Sequence, residues 1–131
     1  MLANAETKWG VLKTLTTLVE AIANGRLNET MACFSDDADV ALFGSEATDT
    51  GIGAPAIRQH MAELYARPYR ILFDLTPGKV SAHGHVAWLT AEGTYRLSTD
   101  DASHPYRLTV VFERRREQWL VQLFSGAESR A

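Results

Sequence analysis

The residues best suited to chemistry lie along one predicted strand, AWLTAEGTYRL. Strand side chains alternate between the two faces of a sheet, so Trp88, Glu92 and Arg96 share one face. Desolvation raises the pKa of a carboxyl group and lets it act as a base, whereas an arginine within reach lowers that pKa. Glu92 is therefore the catalytic candidate, as a base if it is unpaired and as a binding group if it pairs with Arg96. The ligand contacts predicted on this strand are Trp88, Thr90 and Arg96.

The role of this row of side chains depends on which face of the sheet carries it. In one interpretation the row is the solvated side of an antiparallel sheet, and Glu92 and Arg96 are only soluble neighbours. In the other interpretation the row lines a cavity that helices cover. Trp88 in the middle of the row disfavours full exposure, and the helices need a sheet face to cover, so we favour the cavity. An error of one residue in the strand would exchange the two faces.

Length, charge and composition bound the class of protein. The 131 residues carry a net charge of −3 and are 46% hydrophobic, which fits one soluble domain spanning residues 1–131. This charge argues against nucleic acid or an anionic membrane as a partner. No apolar run approaches the ~20 residues of a membrane span, and no secretion signal is visible, so we expect a cytoplasmic protein.

Helical patterns dominate the first half of the chain, and strand patterns dominate the second half. Helical spacing from Trp9 to Ile22, stopped by Asn24-Gly25, predicts a first helix over residues 5–24. A short second helix follows from residue 27, and Pro55 opens a third helix. Strands are predicted at 39–43, 70–83 with a break at 76–78, 86–97, 106–114 and 119–124, and short connections join the last four segments into an antiparallel meander. The sequence thus predicts an α+β protein whose helices cover one sheet face.

Four stretches of the chain resemble a known superfamily: the helix end IANGRLNETMACFSDDADV, the GSE after the first strand, GAPAIRQHMAEL and the closing WLVQLFSG. By their order and spacing, the chain resembles nuclear transport factor 2 (NTF2), ketosteroid isomerase and the SnoaL-like polyketide cyclases. The resemblance implies a cone-shaped α+β fold in which three N-terminal helices pack on a curved antiparallel sheet. It implies far less about activity, because this fold carries many unrelated functions.

The resemblance argues against steroid isomerisation. The positions that match the proton-abstracting aspartate, the oxyanion-binding tyrosine and the second acid of those isomerases hold Leu42, Leu18 and Leu108. Leucine can neither accept a proton nor donate a hydrogen bond to an enolate. The clustered Asp36 and Asp37 are then interpreted as residues of a helix-ending turn, whose side chains bond local backbone.

The resemblance also completes the predicted site. It turns the face with Gln122 and Phe124 inward, which makes Gln122 an orienting group and Phe124 an apolar wall; a partly exposed structural glutamine is the alternative. His60, near the edge of the third helix, could reach the cavity mouth or pack locally. His83 and His85 flank a glycine with no further ligand nearby, and no phosphate-binding loop is recognisable, so we expect neither a metal nor a cofactor.

Two functions fit these features. The first is a small-molecule-binding protein with a conical pocket, whose chemistry would be a cofactor-free isomerisation, cyclisation or dehydration. The second is a non-catalytic, dimeric binding or assembly module, and the sequence does not decide whether the protein is an enzyme. Both predict a homodimer, because the resembled families pair such sheets and the apolar face with Leu89, Ala91 and Tyr95 suits this packing.

Overall fold

The computed structural model describes residues 1–44 and 49–129, which form three helices and one seven-stranded sheet. The helices are α1 (Ala5–Asn24), α2 (Leu27–Ala32) and α3 (Ala54–Tyr65). The strands are β1 (Ala41–Phe43), β2 (Thr50–Ile52), β3 (Ile71–Pro77), β4 (Ser81–His83), β5 (Val86–Leu97), β6 (Ser103–Arg115) and β7 (Gln118–Glu128). The predicted α+β class is confirmed. Within these residues, no helix has both the length and the apolarity that a membrane crossing needs.

The first helix has the ends that the sequence predicts. The Asn4 side chain accepts a hydrogen bond from the Thr7 N–H at 2.8 Å and caps the N-terminus of α1. Gly25 adopts a φ of 64° at the other end, where a residue with a side chain would be strained. Between these ends, one face of α1 is buried against the sheet, including Val11 and Leu18. This packing fixes the helix over the sheet.

The sheet is built around the predicted meander. The strand order is β2-β1-β7-β6-β5-β3, and β4 pairs with β5 next to β3. Among the described strands, β1 and β7 are parallel and the other pairs are antiparallel. The segment predicted as one broken strand forms two strands, β3 and β4, and the Gly78 N–H between them donates to the Thr90 carbonyl at 2.7 Å. With only three residues, β2 carries too little pattern to be predicted.

Two local features bend the sheet. A Cβ atom at Gly93 in β5 would lie 1.9 Å from the Asp74 carbonyl oxygen in β3, so this approach of the two strands requires glycine. In β7, the register with β6 shifts by one residue at Gln122, which is a β-bulge. The helices cover the concave side of the resulting curved sheet.

The two faces of β5 are the reverse of those predicted. Ala87, Leu89 and Ala91 are buried, whereas Trp88 between them is 39% exposed on the outer face. The predicted alternation is therefore correct, but the assignment of its faces is wrong. The physical reason is that small apolar side chains allow the helices to approach the sheet closely, while the Trp88 ring lies on the open side beside Val111.

The predicted dimer interface is wrong for the same reason. Leu89 and Ala91 are each 1% exposed, because they belong to the core under the helices. Tyr95, at the other end of the same row, packs against this core. Leu89 and Ala91 are therefore not available to a second copy of the chain in this fold, and Tyr95 is only partly exposed.

The aspartate turn after α2 holds the hairpin between β6 and β7. The Arg115 guanidinium donates a hydrogen bond to the Asp37 carboxylate and lies 3.7 Å from a carboxylate oxygen of Asp36. The local turn contact is made by Ser35 instead, because the Asp37 N–H donates to the Ser35 hydroxyl oxygen at 3.2 Å. The hydrogen bond from Arg115 lowers the pKa of Asp37. The two aspartates have a structural role, but within the described residues their side chains contact the distant Arg115 and not the local backbone that was predicted.

Candidate functional site

A cavity of about 190 Å³ lies between the helices and the concave face of the sheet. Its wall is largely apolar, because α1, α3 and the strands each turn their buried side chains toward it. Leu42 lines this cavity, whereas Leu18 and Leu108 are fully buried. The apolar lining residues are Ile22, Phe34, Leu42, Met61, Leu64, Ile71, Phe73, Leu97 and Phe124.

One polar corner of the cavity holds an acid–base pair. The His60 Nε2 atom lies 3.9 Å from an Asp49 carboxylate oxygen, and the two side chains are 19% and 32% exposed. His60 is placed by α3, because its neighbours Ile57 and Met61 anchor that helix in the core. The Asp49 carbonyl oxygen accepts the Gly44 N–H at 2.6 Å, which ties the backbone of Asp49 to the residue after β1. The Asp49 carboxylate therefore lies beside the His60 imidazole at the wall of the cavity.

A second polar group of the cavity belongs to the sheet. The Tyr95 hydroxyl donates a hydrogen bond to the Glu128 carboxylate, and the Tyr106 ring meets the Tyr95 ring edge-on at 5.5 Å. Burial, with smaller contributions from Tyr95 and Asp49, raises the pKa of Tyr106 to about 12. Tyr106 therefore keeps its proton at neutral pH and remains a hydrogen-bond donor.

Gly126 sets the position of the Tyr106 ring. A Cβ atom at residue 126 would lie 1.7 Å from the Tyr106 hydroxyl oxygen, so any side chain there would displace the ring. The ring is also held from the other side by Phe73, whose centroid is 5.1 Å away. The described residues offer the Tyr106 hydroxyl no hydrogen-bond acceptor, which leaves this donor available to a bound molecule.

The charged groups around the cavity are mixed. Asp49 and Glu128 contribute carboxylates, and Arg67 contributes the guanidinium among the described lining residues. The Arg67 Nη1 atom donates to the Tyr69 hydroxyl at 2.9 Å, so part of its hydrogen-bonding capacity is used within the protein. The lining as a whole has no excess of positive charge.

Two of the residues predicted for the site line the cavity. They are His60 and Phe124, from α3 and β7. The other predicted residues on β5 are Trp88, Thr90, Glu92 and Arg96. They share the row of β5 that faces away from the cavity. Their placement follows directly from the reversed parity of β5.

The sequence left open whether Glu92 pairs with Arg96, and in the structure each of them has other partners. Glu92 is 70% exposed and binds Arg107 of the neighbouring strand, with 3.2 Å between carboxylate oxygen and Nε. Arg96 instead donates to the backbone carbonyl oxygens of Leu97 and Asp100, at 3.5 and 3.2 Å. An exposed carboxylate paired with arginine is a poor base, so Glu92 lacks the environment that made it a candidate.

Gln122 has a structural position. It is the bulge residue of β7, and its Nε2 atom donates to the Asp39 carboxylate at 3.1 Å. Its Oε1 atom is buried without a partner among the described residues. Gln122 is absent from the residues that line the described cavity, so it is not placed to orient a ligand there.

The polar residues of the described lining that were not predicted for the site are Asp49, Arg67, Tyr69, Tyr95, Tyr106 and Glu128. Tyr106 had a usable signal, since it alternates with the apolar Leu108 along β6 and therefore shares the inward face. Asp49 had none, because it lies in a loop with no periodicity and reaches His60 only through the tertiary fold.

Solved structures with this fold come from proteins of different descriptions. A proposed dehydratase of the NTF2-like family from Streptomyces avermitilis is 20% identical, with a TM-score of 0.82 over 93% of this chain and 95% of that chain. A proposed aromatic ring hydroxylase from Novosphingobium aromaticivorans is 12% identical, with a TM-score of 0.83 over 98% and 93%. A proposed calcium/calmodulin-dependent protein kinase type II association domain from Thiobacillus denitrificans is 14% identical, with a TM-score of 0.76 over 89% and 93%. Similarity at these identities shows that the fold is shared. It does not show that an activity is shared.

The sequence comparisons identify the family. No curated protein matches the chain significantly. The family model described as a SnoaL-like domain matches residues 11–123, which include most of α1, most of the cavity lining and most of the sheet. This confirms the family that the sequence motifs indicated, and the chain belongs to the SnoaL-like family within the NTF2-like fold.

Proposed function

We propose that the protein is a cofactor-free acid–base enzyme that removes a proton next to the carbonyl group of a small, largely apolar substrate. The observation that carries the proposal is the His60–Asp49 pair, 3.9 Å apart at the wall of an apolar cavity. Dehydration and isomerisation both begin with such a proton transfer. The fold similarity to a proposed dehydratase is compatible with this chemistry.

Each polar side chain has a role in the proposed reaction. The neutral imidazole of His60 takes the proton from the carbon beside the carbonyl group, and the Asp49 carboxylate stabilises the imidazolium that forms. Negative charge then develops on the carbonyl oxygen, to which the Tyr106 hydroxyl donates a hydrogen bond. In a dehydration, His60 returns the proton to the leaving hydroxyl group, so the products are water and a carbon–carbon double bond. In an isomerisation, His60 returns the proton to a different carbon.

Proton exchange with solvent tests this proposal without knowledge of the natural substrate. Acetophenone or cyclohexenone is incubated with the protein in D₂O, and NMR follows deuterium entering the carbon next to the carbonyl. We expect exchange faster than in buffer, and we expect His60→Gln to slow it by roughly 10²–10⁴-fold. His85→Gln is the matched control, since His85 lies in the exposed turn before β5. A bound ketone that exchanges equally fast with wild type and His60→Gln would contradict the proposal.

A second candidate function, a dimeric binding or assembly module, is favoured by the outer face of the sheet. Register pairing aligns five side chains across five strands, and they form an apolar row. Trp88 and Ile52 within this row are 39% and 61% exposed. The outer apolar row consists of Trp88, Val111, Leu123, Ala41 and Ile52.

We propose that a second copy of the chain covers the outer apolar row, and such a homodimer is compatible with either function. Large exposed apolar side chains, Trp88 and Ile52, end this row, and the residues between them are half-buried or buried. Flanking Glu92 and Arg107 would supply both signs of charge to a symmetric partner. Light scattering at micromolar concentration tests the homodimer. We expect a dimer that Trp88→Arg dissociates, and a monomeric wild-type protein would exclude it. If the dimer persists while no ketone binds or exchanges, the assembly function is favoured over the enzyme.

A further inference from the structure

The volume of the cavity limits the size of its ligand. A cavity of about 150 Å³ is enough to hold benzene in a protein core. The cavity between the helices and the sheet measures about 190 Å³, which leaves room for one ring and a short substituent. The fused rings of a steroid or an aromatic polyketide would extend beyond this volume toward the open mouth of the cavity.

The shape of the wall favours a flat ring. Phe73, Tyr95 and Tyr106 form a cluster of three aromatic side chains on the concave face, with centroid distances of 5.1 and 5.5 Å along it. Aromatic faces and edges pack well against another planar ring. Leu64 and Met61 of α3 close the cavity from the helix side. A ring bound between the cluster and α3 would lie beside His60 on the same helix.

The charges of the lining disfavour an anionic ligand. Asp49 and Glu128 are carboxylates, and the guanidinium of Arg67 already binds the Tyr69 hydroxyl. A carboxylate ligand would therefore meet two like charges and a partly occupied partner. An uncharged ligand meets no such penalty, and its carbonyl oxygen can accept the free hydroxyl donor of Tyr106.

We propose that the substrate is an uncharged carbonyl compound with a single ring, that Tyr106 binds its carbonyl oxygen, and that Phe73 sets the upper limit on its size. This inference rests on the proposed acid–base function, and it adds the class of substrate and a residue that determines specificity. Phe73 is suited to that role because its ring lies in the wall opposite α3 and supports Tyr106.

Binding measured by calorimetry tests the inference with a matched set of ligands. The set is acetophenone, 1-tetralone, benzoate and ethylbenzene, which vary ring number, charge and the carbonyl group separately. For the wild-type protein we expect 1-tetralone and benzoate to bind at least about tenfold more weakly than acetophenone. Phe73→Ala should bring the affinity for 1-tetralone close to that for acetophenone. If Phe73→Ala does not fold, Ile71→Ala takes its place in the experiment, because it enlarges the same cavity.

A separate variant tests the hydrogen bond between the Tyr106 hydroxyl and the carbonyl oxygen of the ligand. Tyr106→Phe keeps the ring and removes the hydroxyl, so we expect acetophenone to bind roughly tenfold more weakly while ethylbenzene is unaffected. If the wild-type protein bound 1-tetralone or benzoate as tightly as acetophenone, the single-ring, uncharged class of substrate would be overturned. Catalysed proton exchange would in that case still support the acid–base function. If no ketone binds and none exchanges protons, the proposed function fails together with this inference.

Discussion

The two faces of the central sheet differ in chemistry, although the same strands build both. The concave face carries apolar residues such as Leu89. It also carries the aromatic cluster of Phe73, Tyr95 and Tyr106, and the His60–Asp49 pair lies at the same cavity. The outer face carries an apolar row and solvated ion pairs such as Glu92–Arg107. Polar groups on the concave side are few, partly buried and near a cavity, whereas those on the outer side are exposed to water.

This difference shows that residue type alone does not define a site. Glu92 and Arg96 look like a catalytic pair in the sequence, but their strand turns them toward solvent. Burial changes what a polar group can do, since desolvation shifts a pKa and an exposed charge is screened by water. Tyr106 is an ordinary strand residue in the sequence, yet burial gives it the raised pKa of a persistent donor.

The largest effect is expected from placing a charge on each face in turn. Leu89→Arg buries an unpaired guanidinium in the core and should destabilise the fold by at least about 3 kcal/mol, which lowers Tm by roughly 10 °C. Trp88→Arg, one residue away on the outer face, should keep the native circular dichroism and weaken only self-association. Thermal melts of the two variants would contradict the assignment of the faces if Trp88→Arg were the more damaging change.

A smaller effect is expected from titration of Tyr106 at alkaline pH. Its folded-state pKa of about 12 lies above the ordinary value of 10.0, so its contribution to stability is fully present below pH 10 and is lost as pH rises through 12. Between pH 9 and pH 11, the wild-type protein should lose about 1.4 kcal/mol more than Tyr106→Phe does. Urea unfolding at the two pH values measures this difference, and identical losses would show that the Tyr106 hydroxyl is not buried.

The smallest effect is expected from Glu92→Gln on the outer face. The ion pair with Arg107 is exposed at both partners, so its loss should change stability by no more than about 0.5 kcal/mol. Proton exchange on acetophenone should be unchanged, in contrast to the loss expected for His60→Gln. A Glu92→Gln protein with exchange slowed a hundredfold or more would return the catalytic role to the outer face.

The fold was predictable because its signals are local. Asn24-Gly25 marks the end of α1, and the long alternation from Val86 to Leu97 defines β5 with its observed bounds. The SnoaL-like motifs added the order of the layers, which the structure shows, and the match over residues 11–123 confirms the family. The break between β3 and β4 was also visible, at Thr76-Pro77-Gly78.

The site was less predictable because it depends on which face of β5 turns inward and on the position of Asp49 between two strands. The inward row of β5 is small and apolar and the outer row is mixed, but an apolar row also suits packing against a second sheet, so the prediction assigned the inward row to a dimer interface. The neighbouring strand holds clearer information, since Leu108 and Val110 of β6 belong to an all-apolar row and pair in register with Ala91 and Leu89. Asp49 approaches His60 only after the chain folds, and no local pattern encodes that contact.

The most direct test of the central claim, that the concave face binds the ligand, is to locate a bound ketone by NMR. Intermolecular nuclear Overhauser effects are measured between acetophenone ring protons and assigned aromatic side chains of the protein. The ligand should show contacts with Phe73 and Tyr106, which line the cavity, and none with Trp88 on the outer face. Contacts with Trp88 but not with Tyr106 would place the ligand on the outer face and contradict this account of the protein.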